Sequence, residues 1–217
     1  MYNSKFWDDL YEDRSEVAPW LGDDWANFNI EHISKYIGDP KGKNLLDYGC
    51  GNASIGDYFY QKGANLSLAD ISAYQVEKLK KKYGTTVLID RVDFPSDIRQ
   101  KNFYDYILCM GVFHHINPDL WGQFFNGLYD LLKKDGVLIV SGWDINDPVL
   151  IKENYKGCIT YKDCWAINDI ASVIEGAFEK KASFVDYVDM KAFNMKRLCR
   201  FFVFNKMENR EPVVVEE

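Results

Sequence analysis

The run Asp47-Tyr48-Gly49-Cys50-Gly51 couples a carboxylate to two glycines spaced by one residue. Gly49 and Gly51 lack a Cβ, so the chain can turn sharply and a ligand can lie against its backbone. Asp47 is poorly placed beside a pyrophosphate and well placed near a cation. Three further groups could do chemistry. Asp70 lies 23 residues after Asp47, and Asp93-Phe94 offers a third carboxylate. His114-His115 supplies imidazoles that titrate near neutrality and can act as a general base. Asp144 could orient a histidine or act itself. If a histidine takes the acceptor proton, the rate should rise with pH through about 6.5.

These residues need a scaffold that brings them to one edge. Asn44–Tyr48 reads as a strand, followed by the glycine turn and a helix from Ser54 to Gln61. Leu66–Asp70 is a second strand. Ser72 caps the next helix, with Gln75 completing a capping box. Thr85–Ile89 is a β-branched third strand, and Tyr104–Met110 the fourth. Asn117-Pro118-Asp119 opens a helix through Leu132, Gly136 ends it, and Val137–Val140 is the fifth strand. Alternating strands and helices with short links demand parallel strands and crossover helices, an α/β doubly wound sheet. Ile167–Phe178 reads as a helix, and Ser183–Asp189 with Leu198–Phe204 as an antiparallel hairpin. The expectation is a mostly parallel seven-stranded sheet with helices on both faces. Ligands of such sheets sit outside the carboxyl ends of the strands, where Asp47, Asp70, Phe94, Met110 and Asp144 all fall.

The glycine turn is not the dinucleotide fingerprint, since the last position of G-x-G-x-x-G/A is Ser54. It resembles motif I of the class I S-adenosylmethionine (SAM)-dependent methyltransferases, in which an acid precedes a G-x-G-x-G turn. The departure is Ala53 at the third glycine. The resemblance is strong over residues 44–142 and implies SAM as cofactor. Asp47, Gly49, Cys50 and Gly51 then border the cationic ligand, and Asp70 accepts from both ribose hydroxyls. Ile71 packs on the adenine, Asp93 accepts from its amino group, and the Phe94 amide is free to donate to a ring nitrogen. Cys109 and Met110 border the methionine part. His114 and His115 face the methyl-donor end.

Before the sheet, Phe6, Trp7, Leu10 and Tyr11 fall at helical spacing on one face. This aromatic helix is either core packing or a lid over the cofactor, with Tyr11 and Arg14 as cofactor contacts. Asp23 or Asp24 can cap a second helix that ends at Gly38 and Pro40. Residues 1–37 are expected to form a helical cap, 1–207 a single domain, and 208–217 an acidic tail.

The chain has 217 residues with a net charge of −7 and 47% hydrophobic residues. A packed core is expected, and an acidic chain without a concentrated basic patch is a poor nucleic-acid binder. The Lys78–Lys82 cluster fits a solvated helix C-terminus. Five cysteines without a C-x-x-C pair, no signal-like start and no apolar run of about 18 residues give a cytoplasmic expectation, with neither a metal site nor membrane contact. The expected activity is methyl transfer to a small molecule, O-directed, on a sugar, glycan precursor or other metabolite, by a monomer or homodimer. The alternatives are a protein- or N-directed enzyme of the same fold, a non-catalytic SAM-binding module, and, disfavoured by Ser54 and Asp47, a nicotinamide dehydrogenase.

Overall fold

A computed structural model describes residues 4–13, 22–151, 170, 174, 176–191 and 194–208. The order is α1 (Ser4–Asp13), α2 (Asp23–Ile37), β1 (Asn44–Tyr48), α3 (Ser54–Gln61), β2 (Asn65–Asp70), α4 (Ala73–Tyr83), β3 (Leu88–Arg91) and β4 (Tyr104–Met110). Then follow α5 (Trp121–Leu131), β5 (Leu132–Trp143), the short α6 (Pro148–Ile151), β6 (Phe178–Met190) and β7 (Met195–Lys206).

The seven strands form one sheet in the order β3-β2-β1-β4-β5-β7-β6. β1 pairs in parallel with both β2 and β4. The chain therefore winds outward one way from β1, then restarts on its other side at β4. β7 alone is antiparallel, to β5 on one side and β6 on the other. The expected architecture is present.

Both faces of the sheet are covered, which is why its central strands read as unbroken apolar runs. Leu46, Ile107 and Leu138 pack with Phe124, Phe125 and Leu128 of α5. Their neighbours Leu45, Leu108 and Ile139 face the other way, onto Ile33 of α2, Phe59 of α3 and Leu79 of α4. The period of two sends successive side chains to opposite layers. Phe124 and Phe125 are fully buried, and burying such a ring contributes about 1.5–3 kcal/mol.

Several boundaries differ from the sequence reading. β3 starts at Leu88 because Thr86 turns back, its amide and hydroxyl both donating to the Tyr83 carbonyl. α5 begins only at Trp121, after a 3-10 turn over Pro118–Leu120. β5 starts at once at Leu132, so Gly136 lies inside a strand, beside a register shift opposite Tyr104 and Tyr106. Asp23 and Asp24 do not cap α2; Gly22 stands at the cap, and Asp24 instead accepts the Lys191 amide at 3.0 Å. The hairpin is longer than expected at both ends, and Phe178 opens β6 rather than closing a helix. Most of the expected 167–178 helix, Arg14 and the tail from 209 lie outside the described residues.

Candidate active site

The turn after β1 is held by two backbone bonds. The amides of Gly49 and Cys50 donate to the Ala69 carbonyl of β2 at 2.7 and 3.2 Å. Gly49 has φ +69, and a Cβ there would meet Val112 Cγ2 at 2.3 Å. Glycine is required by both conformation and space. Ala53, at the third glycine of the motif, is also left-handed, with φ 61. That conformation explains why the family's pattern has glycine at this position.

Asp47 and Asp70 anchor this turn from below. Asp47 Oδ2 accepts the Gly56 amide in the first turn of α3 at 3.0 Å. Asp70 Oδ2 accepts the Gly51 amide at 2.8 Å, and its Oδ1 accepts the Ser72 amide at 2.9 Å. The capping box at α4 is therefore half-formed. Ser72 Oγ accepts the Gln75 amide, while Asp70 takes the amide the Gln75 side chain would have held. Burial pushes the Asp47 carboxyl up to about 7, with the Gly56 amide opposing and Asp70 adding to the rise. Burial also raises Asp70. Neither carboxyl has an ion pair among the described residues. Two desolvated acids at one cleft fit a ligand that carries both a cation and hydroxyl donors, as SAM does.

That cleft opens at the carboxyl ends of the strands, at the switch between β1 and β4. It holds about 1210 Å³ of empty space counted to its mouth. Of the sequence-predicted residues, Tyr11, Asp47, Gly49, Cys50, Gly51, Asp70, Ile71, Asp93, Phe94, Met110, His114 and His115 line it. Cys109 does not; it is fully buried in the core against Phe113. Burial holds the Cys50 thiol well above its usual range, which disfavours the thiolate form.

One assignment changes around β3. The Phe94 amide is not free: Asp97 Oδ2 accepts it at 2.9 Å, together with the Asp93 amide at 3.0 Å. The Asp93 carboxylate is gripped by Arg91 through two bonds of 2.7 Å. Asp93 still lines the cleft, and each of its oxygens keeps a spare lone pair.

The β4–β5 end is walled by rings. His114 and His115 form a turn after β4, their rings 4.1 Å apart. Trp7 of α1 lies 5.1 Å from His115, and Trp143 lies 6.2 Å from His114. Trp25 of α2 is 5.1 Å from Trp143. A Cβ on Gly111 would meet Trp25 Cζ2 at 3.3 Å and His114 Cε1 at 3.9 Å, so this end is tightly closed around the turn. His114 is buried, and neither ring nitrogen has a hydrogen-bond partner among the described residues; the same holds for Trp143 Nε1. Burial holds the His114 imidazole well below its ordinary value, with His115 and Arg197 adding to the shift. Burial takes His115 down to about 3. Both rings are neutral at physiological pH, so a rate limb near 6.5 is not expected from them.

Asp144 does not join them. It is buried outside the cleft lining, with Oδ2 accepting Arg200 Nε of β7 at 2.5 Å. Its Oδ1 takes the Asn146 amide and side chain. Asp147 is held likewise, both oxygens 3.0 Å from Arg197 Nε. The Arg197 guanidinium lies 3.8 Å from the Trp143 ring centroid. These partners stand about 50 residues apart in the chain, beyond the reach of local motifs.

Residues 25–183 match the model of a methyltransferase domain family, Methyltransf_23. Among curated proteins, the chain is 26% identical over 121 residues to a ubiquinone biosynthesis O-methyltransferase of Actinobacillus pleuropneumoniae, covering 52% of this chain and 50% of that protein. It is 30% identical over 94 residues to a ribosomal RNA small subunit methyltransferase C of Chromohalobacter salexigens, covering 42% and 28%. The matched segment thus spans half or less of these relatives. Among solved structures, magnesium protoporphyrin IX methyltransferase from Synechocystis PCC 6803 with bound SAH superposes with TM-score 0.70 at 16% identity, covering 94% of this chain and all of that one. The 1,6-didemethyltoxoflavin-N1-methyltransferase of Burkholderia thailandensis gives 0.67 at 16% identity, covering 94% and 87%. The fold, the desolvated acids at the glycine turn and the family match converge: the chain belongs to this methyltransferase domain family.

Proposed function

We propose that the chain methylates a small-molecule acceptor, at oxygen, in the ring-walled end of the cleft. The carrying observation is the division of that cleft. Its β1–β3 end holds three aspartates, and its β4–β5 end holds neutral rings. In this reading Asp47 faces the SAM ammonium and Asp70 the ribose hydroxyls, with Ile71 and Phe94 flanking the adenine. Asp93 remains the candidate for the adenine amino group. SAM supplies a methyl on a positively charged sulfur. The protein's own part is to align the acceptor and exclude water.

An RNA acceptor is disfavoured because no lysine or arginine lines the cleft among the described residues, and the net charge is −7. No helix among the described residues is long and apolar enough to cross a membrane. Free Cys50, Cys109 and Cys199 fit a reducing, cytoplasmic setting. Residues 1–207 act in this reading as one domain, with 1–37 as its cap.

Calorimetric titration tests the cofactor half. SAM should bind and NADH should not, and Asp70→Asn should weaken SAM about tenfold or more, since a charged hydrogen bond contributes about 1.5–3 kcal/mol. A labelled-methyl screen of cell metabolites tests the acceptor half; label appearing only in protein or RNA would overturn it.

A further inference from the structure

We propose that the acceptor is a planar aromatic or heteroaromatic molecule carrying an acidic hydroxyl or ring N–H, seated against Trp143, Trp25 and His114. This rests on the methyltransferase reading above and narrows its acceptor away from sugars.

Two observations carry it. The first is the wall itself. Trp7, His115, His114, Trp143 and Trp25 form a continuous series of rings with neighbouring centroids 4.1–6.2 Å apart. Flat π surfaces select flat ligands through offset and edge-on contacts. The buried polar atoms in that wall also specify an edge. Trp143 Nε1–H is a donor, and neutral His114 offers one donor and one acceptor. None of these has a partner among the described residues, and an unsatisfied buried polar group costs about 1–3 kcal/mol. A ring whose edge carries oxygen or nitrogen satisfies them; a hydrocarbon face does not.

The second observation is that the proton has no strong base to go to. The two carboxylates on the loop after β5 are both consumed by arginines, Asp144 by Arg200 and Asp147 by Arg197. His114 has no carboxylate partner among the described residues. The imidazoles are desolvated and hold a proton poorly. An alcohol such as a sugar hydroxyl would need a base here. An acidic phenol or ring N–H loses its proton to water beforehand. Its anionic lone pair then forms the new bond to the methyl carbon as the carbon–sulfur bond breaks, and the bonding pair stays on sulfur as a neutral thioether.

Saturation-transfer NMR on the protein saturated with S-adenosylhomocysteine tests this. The planar probes are 4-nitrophenol and 8-hydroxyquinoline; the aliphatic ones are methyl glucoside and glycine. The planar probes should bind at least tenfold tighter than the aliphatic ones. Trp143→Ala should weaken them at least fivefold with S-adenosylhomocysteine affinity retained. Trp7→Ala, on α1 and outside the sheet, should weaken them too and serves if Trp143→Ala does not fold. With SAM, 4-nitrophenol should give 4-nitroanisole. Failure of S-adenosylhomocysteine to bind overturns the methyltransferase reading and this inference with it. Cofactor binding overturns this inference alone if the planar probes do not bind, if neither tryptophan variant weakens them, or if the aliphatic probes bind or are methylated as well.

Discussion

Asp8 of α1 reaches the first turn of α4, where its Oδ1 accepts the Ser72 hydroxyl at 2.6 Å and the Tyr74 amide at 3.0 Å. Ser72 is the residue whose amide Asp70 holds. The helix that carries Trp7 and Tyr11 into the cleft is thereby tied to the same residue as the proposed ribose acid. An anion at a helix N-terminus also meets the positive end of its dipole.

Asp8→Ala should therefore loosen α1 specifically. Loss of a capping contact costs about 0.5–2 kcal/mol, and about 1 kcal/mol corresponds to roughly fivefold in affinity. Hydrogen exchange should quicken over residues 4–13 and remain slow in β1, and SAM should bind about fivefold more weakly. Unchanged exchange in α1 would show that Leu10 and Tyr11, both buried, suffice to hold it.

Gly49→Ala should damage both folding and cofactor binding. The left-handed conformation costs a non-glycine residue roughly 1–2 kcal/mol, and the new methyl would press on Val112. Adding Val112→Ala should recover the steric share and leave the conformational share. Denaturant melts of the single and double variants separate the two, and a double variant no better than the single would rule out the clash.

SAM affinity should depend on pH through Asp47. Its folded value of about 7 lies above the ordinary 3.8, so proton binding favours the folded, ligand-free protein. The group's contribution to stability consequently falls as pH rises between those values. A cationic ligand needs the carboxylate ionised and must displace the proton below pH 7. Binding should tighten by up to about tenfold per pH unit on rising to 7, then level off. Calorimetry in buffers of different ionisation heat should detect proton release at pH 6. Asp47→Asn should abolish both effects; a flat profile in the unmodified protein would remove Asp47 from the cation site.

The histidines act in the opposite sense. Their folded values lie below 6.5, so the unfolded chain takes up protons that the folded chain does not. Stability is lost as pH falls below 6.5, by at most about 1.4 kcal/mol per pH unit for each group. His114→Asn should flatten that slope in melts between pH 6.5 and 4.5. A histidine-like limb near 6.5 in the rate of the unmodified enzyme would contradict the buried, neutral state.

Asp144→Ala should be a stability variant. Breaking a buried ion pair by removing one partner costs about 3–5 kcal/mol; partial exposure of Arg200 places this pair toward the low end. Adding Arg200→Met should restore part of the loss. SAM affinity per folded molecule should not change, and a selective loss of kcat with normal stability would return Asp144 to the chemistry.

What could be read from the sequence follows the range of each signal. The glycine turn, Asp47 and Asp70 were legible because the strand, turn and helix that place them are contiguous. The Phe94 amide was misread although its partner Asp97 is three residues away, because a carboxylate at the third position of a turn competes for that amide. Asp144 was misread for a different reason: Arg200 lies on a strand that reaches β5 only through the sheet's antiparallel insertion. Asp8 and Arg197 carried no local pattern. Each earns its place through a partner 50 or more residues distant.

β7 has a bearing on biosynthesis. Trp143 stands opposite Cys199 in the sheet and beneath Arg197, so the ring wall is backed by a strand ending at Lys206. A nascent chain can finish the glycine turn with β1, β2 and α3 long before it can back this wall. Ribosome-bound fragments that stop after β5 should therefore carry every ring of the wall but lack the strand that backs Trp143, and the proposed acceptor end should settle only once β7 has left the exit tunnel.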